Sequence, residues 1–242
     1  MKTRFISWTR RKETGHRLQV TQLGLQNGAF MNWLCDSIAT EGNRRDIHSG
    51  QYDVMDVPSN IFCSSGMHLP NGSYATFGGN GAVGRGGNLG SQLNPGGFSA
   101  AWDAEYQDFD GSRAIRILDP CKSTDNFSDR KCTWFDDATQ LAMKRARWYS
   151  TAEPTADGTI VLLGGFSTGG YINRNYPNNE PNGGGSQNTY EFFPARDGDP
   201  PLVPFLTKTS GLNAYVHAFL LPSGNMFLQA NYSTGAYHAF HS

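Results

Sequence analysis

Two residues stand apart as carriers of chemistry: a thiol at Cys63 and a phenol at Tyr149. Cys63 ends the run Asn60-Ile61-Phe62-Cys63, and Tyr149 ends Arg147-Trp148-Tyr149. Each precedes a turn of the same kind, Pro70-Asn71-Gly72-Ser73 after the first and Ala156-Asp157-Gly158-Thr159 after the second. Counting back from the turn glycines gives 72 − 63 = 9 and 158 − 149 = 9. Thiol and phenol therefore hold one position in two copies of a unit, and stacked units bring equivalent positions side by side. By residue type alone two plainer roles stay open. A buried cysteine also serves as a small core filler, and an Arg-Trp-Tyr run also serves as a strand with a snorkelling arginine.

The unit itself appears three times, over 64–80, 150–166 and 216–232. Each copy has an apolar approach, a Gly-containing turn (Pro222-Ser223-Gly224-Asn225 in the third) and a short apolar strand. Asn-Gly, Asp-Gly and Ser-Gly between apolar runs signal hairpins, because glycine tolerates the positive φ such turns need. Gly78-Gly79 and Gly164-Gly165 close the first two strands, with Ala230-Asn231 in the third. A hairpin ending in a double glycine is the pattern of a kelch-type blade. Further strands fit 113–118, 132–135 and 189–193, and the Gly-, Asn- and Pro-rich tracts 81–98 and 173–188 read as long surface loops. The predicted fold class is all-β: a kelch-type β-propeller, with roughly three blades of a larger ring of about seven. An unclosed array leaves strand edges bare, so the chain reads as part of a longer propeller.

Composition supports many short strands. Of 242 residues, 29 are Gly, 12 are Pro and 17% are charged. No run of about 18 apolar residues occurs, so no membrane span is expected. Residues 1–45 carry eight Lys/Arg against three Asp/Glu, or +5, leaving −1 − 5 = −6 for the rest. The mildly acidic body argues against a nucleic-acid partner. The chain thus divides into an atypical basic segment, 1–45, and a partial propeller domain, 46–242. Residues 1–20 lack the apolar run of a signal peptide, although the body looks secreted. The expectation is that this N-terminus is not the native one.

Four cysteines occur. Cys121 and Cys132 bracket a polar loop whose ends meet easily, and a bridge there would stabilise by about 3 kcal/mol. Zinc is disfavoured, because no CxxC or His–Cys pairing accompanies them. Sequons at Asn71, Asn126 and Asn231 are compatible with secretion.

From about Met55 to Asn231, the stretches NIFCSSGMHLPNGSYATFGGNGAVG, RWYSTAEPTADGTIVLLGGFSTGGYINRNYPN and SGLNAYVHAFLLPSGNMFLQAN resemble the fungal glyoxal oxidases, relatives of galactose oxidase. The resemblance implies an extracellular copper radical oxidase. Such an enzyme takes small aldehydes, or primary alcohols, and O2 to carboxylic acids, or aldehydes, and H2O2. It also implies that Cys63 is joined by a thioether to Tyr149, and that Tyr149 ligates one copper ion and stores an electron hole. The chemistry is consistent: an ortho-thioether donates electron density into the phenol, and phenolate with imidazole suits tetragonal Cu(II). The family site further needs an adjacent Tyr-His pair and another histidine. Tyr237-His238 follows the third hairpin instead of preceding a fourth, and reads as terminal divergence. Tyr215 and His217 match a non-ligand blade, His68 decorates a turn, and Phe166-Ser167 stands where galactose oxidase has a stacking tryptophan. Residues 1–45, with Cys35, match nothing in the family. The expectation is half a site in a chain that does not bind copper alone, with a catalytically inactive propeller fragment or kelch-like binding module as the alternative.

Overall fold

The computed structural model describes residues 4–8, 41–46, 52–122, 125–126, 129, 132–168, 175, 185–209, 213–230 and 234–240. Cys35, Asn231 and most of the 173–188 tract lie outside these residues. The described chain is nearly all β, as expected: its helical elements are a 3-10 turn at Arg85–Gly87 and α1 (Pro204–Lys208). Among the described residues, no helix is long and apolar enough to cross a membrane.

An N-terminal sheet pairs β1 (Arg4–Trp8), β2 (Glu41–Asp46) and β3 (Tyr52–Asp56), and so runs across the 45/46 division read from the sequence. The three repeats then each found a sheet. β4 (Ser65–His68) and β5 (Tyr74–Phe77) form the first hairpin. After the inserted strands β6 (Gln92–Leu93), β7 (Ala100–Asp103) and β8 (Asp108–Phe109), β9 (Ile115–Leu118) and β10 (Trp134–Asp136) complete the first sheet in the order β10-β9-β5-β4. β11 (Thr151–Pro154), β12 (Ile160–Leu163) and β13 (Tyr190–Phe193) form the second. β14 (His217–Leu220), β15 (Met226–Gln229) and β16 (Gly235–His238) form the third. The first strands pack in series, β4 on β11 and β11 on β14.

Side chains alternate across a strand, and β12 shows what this packing demands of the sequence. Ile160 and Leu162 join Ala75, Phe77, Ile115 and Met143 between the first and second sheets. Val161 and Leu163 face the other way, into Tyr190, Val203, Leu206, Met226 and Leu228 between the second and third. A strand covered on both faces must be apolar throughout, hence Ile-Val-Leu-Leu. Among the described residues the third sheet is packed on the face toward the second, and Phe219 and Leu220 on β14 are exposed.

The double glycines do what their chemistry suggests. Gly79 (φ +143°) donates its N–H to the Arg147 carbonyl at 3.3 Å, and a Cβ there would collide with the Asn60 carbonyl. Gly165 (φ +84°) donates to the Asn213 carbonyl at 3.0 Å. The segment leading into each following sheet thus lies directly against the glycine pair before it.

One expectation changes. The 81–98 tract is not only a surface loop: Gly81–Gly84 are buried, and Gln92–Leu93 join β7 and β8 in a separate three-stranded sheet inserted between β5 and β9. Carboxylates organise it, Asp103 accepting from the N–H groups of Ser91, Glu105 and Tyr106. The tract lacks period-2 alternation, so its strands left no signal.

Candidate functional site

Cys63 and Tyr149 are neighbours. The Tyr149 N–H donates to the Cys63 carbonyl at 3.0 Å, and the Tyr215 N–H donates to the Tyr149 carbonyl at 2.8 Å. All three residues are left-handed, at φ 61°, 63° and 47°, a region that non-glycine residues occupy at a cost. Tyr215 is the third member of one register, since 224 − 215 also equals nine. Sequence reasoning noted Tyr215 but missed this identity, although the subtraction that paired the other two contains it.

Each member sits just before the first strand of a sheet. Cys63 is buried in a tight turn closed by Ser64 N–H to Ile61 C=O at 2.9 Å. Tyr149 is half-buried. Its ring meets Trp148 at 4.4 Å between centroids and Tyr215 edge-on at 5.1 Å. Trp148 is itself buried and exchanges backbone hydrogen bonds with buried Phe166 in both directions, at 2.8 and 2.7 Å. Trp148 and Tyr215 thus supply aromatic surroundings for the phenol. Ser65 and Ser150 link the two sheets here, their hydroxyls 2.9 Å apart.

Arg147 of the Arg-Trp-Tyr run does not snorkel; it is wholly buried. Its guanidinium donates to Glu191 Oε1 at 2.8 Å, the Gly164 carbonyl at 2.9 Å and the Thr189 carbonyl at 3.0 Å. With its own carbonyl holding Gly79, it ties two sheets together two residues before Tyr149. Arg116 plays the same part in the first sheet, donating to the carbonyls of Gly78 (2.8 Å) and Asn60 (3.0 Å). Burial pulls Arg116 down to about 10, against the opposing pull of Asp136. Burial also pushes the Asp108 carboxyl up to about 7, against the hydrogen bonds from Val83 and Asn60.

The other candidates lie elsewhere. His68 ends β4, exposed, edge-on to Tyr74. His217 opens β14 at an exposed position. Tyr237 is 74% exposed on β16, two strand spacings or about 10 Å from β14, and His238 packs near Tyr190 and Phe240. Cys121 and Cys132 are joined as a disulfide, Cα atoms 5.4 Å apart. Among the described residues, the one convergent group of His, Cys, Asp or Glu side chains is Cys121, Asp125 and Cys132, two of whose sulfurs form that bridge. Among the described residues no imidazoles converge with the phenol, and copper needs several ligands.

No family model matches the chain. It is 24% identical over 189 residues to the Vitis pseudoreticulata protein named Aldehyde oxidase GLOX, covering 77% of this chain and 26% of that relative. It is 25% identical over 186 residues to Aldehyde oxidase GLOX1 of Arabidopsis thaliana, covering 77% and 22%. These relatives bear out the resemblance to the glyoxal oxidases. The chain spans about a quarter of their length. A fungal alcohol oxidase of the AA5 family, solved in complex with copper, overlays 55% of this chain and 20% of its own at a TM-score of 0.32 and 14% identity. At that level the overlay assigns neither fold nor site.

Proposed function

We propose that this chain carries the cysteine–tyrosine half of a secreted copper radical oxidase of the glyoxal oxidase type. Its three repeat sheets would be successive blades of a kelch-type propeller. The supporting observation is the direct neighbourhood of the buried Cys63 and half-buried Tyr149, joined by a backbone hydrogen bond of 3.0 Å. Coupling the pair removes the thiol hydrogen and one ring hydrogen ortho to the phenol oxygen and forms a C–S bond. The two electrons and two protons released reduce O2 to H2O2. The overall reaction proposed for the whole protein is RCH(OH)2 + O2 → RCOOH + H2O2, with R small, or the corresponding oxidation of a primary alcohol to an aldehyde. In this family copper supplies a one-electron acceptor beside the phenol. The residues described here do not complete a site for it. In this chain Trp148 and Tyr215 enclose the ring, while Arg147 fixes the backbone that carries it.

A second reading, a non-catalytic propeller module, is favoured by the lack of any convergent imidazole cluster among the described residues. The test treats the full chain with aerated Cu(II) and maps its peptides by mass spectrometry. A Cys63–Tyr149 peptide pair lighter by two hydrogens, absent from Cys63→Ser and Tyr149→Phe, supports the oxidase reading. Unmodified peptides, with no peroxide from methylglyoxal, leave the module reading.

A further inference from the structure

We infer that Asn60 is a positioning residue that holds the Cys63 turn against Tyr149, and that Asp108 on the inserted β7–β8 hairpin is its anchor. The inference rests on the proposed pairing of Cys63 with Tyr149. Asn60 is wholly buried, and every one of its polar groups is engaged. Its N–H donates to the Phe109 carbonyl at 2.8 Å, and its carbonyl accepts from Arg116 at 3.0 Å. Its side-chain carbonyl accepts the Phe62 N–H at 2.9 Å, an Asx turn that starts the bend leading to Cys63. Its side-chain amide donates to Asp108 Oδ2 at 2.8 Å.

That last bond gives the inserted sheet a purpose. Asp108 is wholly buried, and the same oxygen accepts the Val83 N–H at 2.8 Å. Phe109, next to it, donates to the Pro58 carbonyl at 3.0 Å. The hairpin thus clamps 58–60 from one side while Tyr149 holds Cys63 from the other. An alanine at 60 keeps the backbone bonds, including the Ser64 N–H to Ile61 carbonyl that closes the Cys63 turn, and loses both the Asx turn and the anchor that lead into it.

Amide exchange by NMR on the full, metal-free chain reads this without any catalysis. In Asn60→Ala the Phe62 and Tyr149 amides should exchange about tenfold faster or more, with β12 amides protected as in wild type. Asp108→Ala should loosen the same amides. Asp108→Asn should not, because one amide oxygen can accept both bonds that now end on Oδ2, and this rescue separates anchoring from mere burial. The yield of Cys63–Tyr149 cross-link should fall in the same order. Wild-type exchange at Tyr149 in Asn60→Ala, or equal loosening by Asp108→Ala and Asp108→Asn, overturns the assignment. If Asn60→Ala also exposes β12, the two Asp108 variants decide. A wild-type chain that never cross-links counts against the oxidase reading, while the exchange data still judge Asn60.

Discussion

Arg147→Met tests whether the buried guanidinium, rather than the apolar core alone, fixes the ground under Tyr149. The arginine and Glu191 are 0% and 6% exposed at their side chains, with N and O 2.8 Å apart. Methionine fills much of the volume but leaves Glu191 a buried carboxylate held only by the Lys144 and Arg145 N–H groups, at 2.7 and 3.3 Å. The Gly164 carbonyl also loses the guanidinium, whereas the Thr189 carbonyl keeps the Gly164 N–H at 3.2 Å. Breaking a buried pair from one side costs about 3–5 kcal/mol, a large part of the roughly 5–15 kcal/mol that holds a domain together. Neutralising both partners, as Arg147→Met with Glu191→Gln, avoids the orphaned charge while an amide oxygen still accepts the Lys144 N–H, and should recover part of that loss, the unsatisfied Gly164 carbonyl still costing about 1–3 kcal/mol. Urea unfolding followed by tryptophan fluorescence on the four chains of this cycle measures both quantities. The reasoning fails if the single variant costs under about 1 kcal/mol, or if the double variant is no more stable than the single one.

Three other perturbations follow from the geometry. Gly79→Ala forces a Cβ into the Asn60 carbonyl at a left-handed φ and should destabilise by about 1–3 kcal/mol, whereas alanine at Gly97, where nothing lies within 4 Å, should cost less in the same thermal melt. Asp108 and Glu153 are both raised to about 7 by burial. The folded chain therefore binds their protons more tightly than the unfolded one, and stability present below about pH 4 is lost as pH rises through 7. Urea midpoints should fall from pH 5 to pH 8, less steeply in Asp108→Asn, and a midpoint that climbs over this range contradicts the assignment. Replacing Cys121 and Cys132 by serine should cost about 2–4 kcal/mol, and an unchanged melting temperature would show the bridge to be idle.

What was legible in the sequence was whatever repeats or alternates. The turn glycines announced β4–β5, β11–β12 and β14–β15, while the burial of Ile160–Leu163 on both faces emerged only from the packing of the sheets. The common offset of Cys63 and Tyr149 announced their contact. The inserted β6–β8 sheet was illegible because carboxylate–backbone bonds at Asp103 and Asp108 hold it, and these leave no period in the apolar pattern. The role of Asn60 left no local signal, since its partners Asp108 and Arg116 lie 48 and 56 residues away. Arg147 looked like a surface arginine because its partner Glu191 is 44 residues distant.

The left-handed backbone at Cys63 and Tyr149, taken by itself, invites the inference that strain marks a reaction centre. Tyr215 argues against that step. It has the same offset from its turn and the same sign of φ, and it continues the same N–H to C=O relay into the third sheet. Three equivalent residues in one strained conformation define a joint, repeated just before the first strand of each of the three repeat sheets. The conformation is then a property of the joint, and chemistry enters through which side chain each joint carries. A cysteine at the first and tyrosines at the second and third put one thiol and two phenols along a single hydrogen-bonded line. Exchanging those side chains, for instance Tyr215→Phe or Tyr149→Phe, should leave the joints intact, whereas Asn60→Ala should loosen the first joint and leave the second bound through Tyr215. Residue identity, not backbone strain, is the part of this site that supports an oxidase.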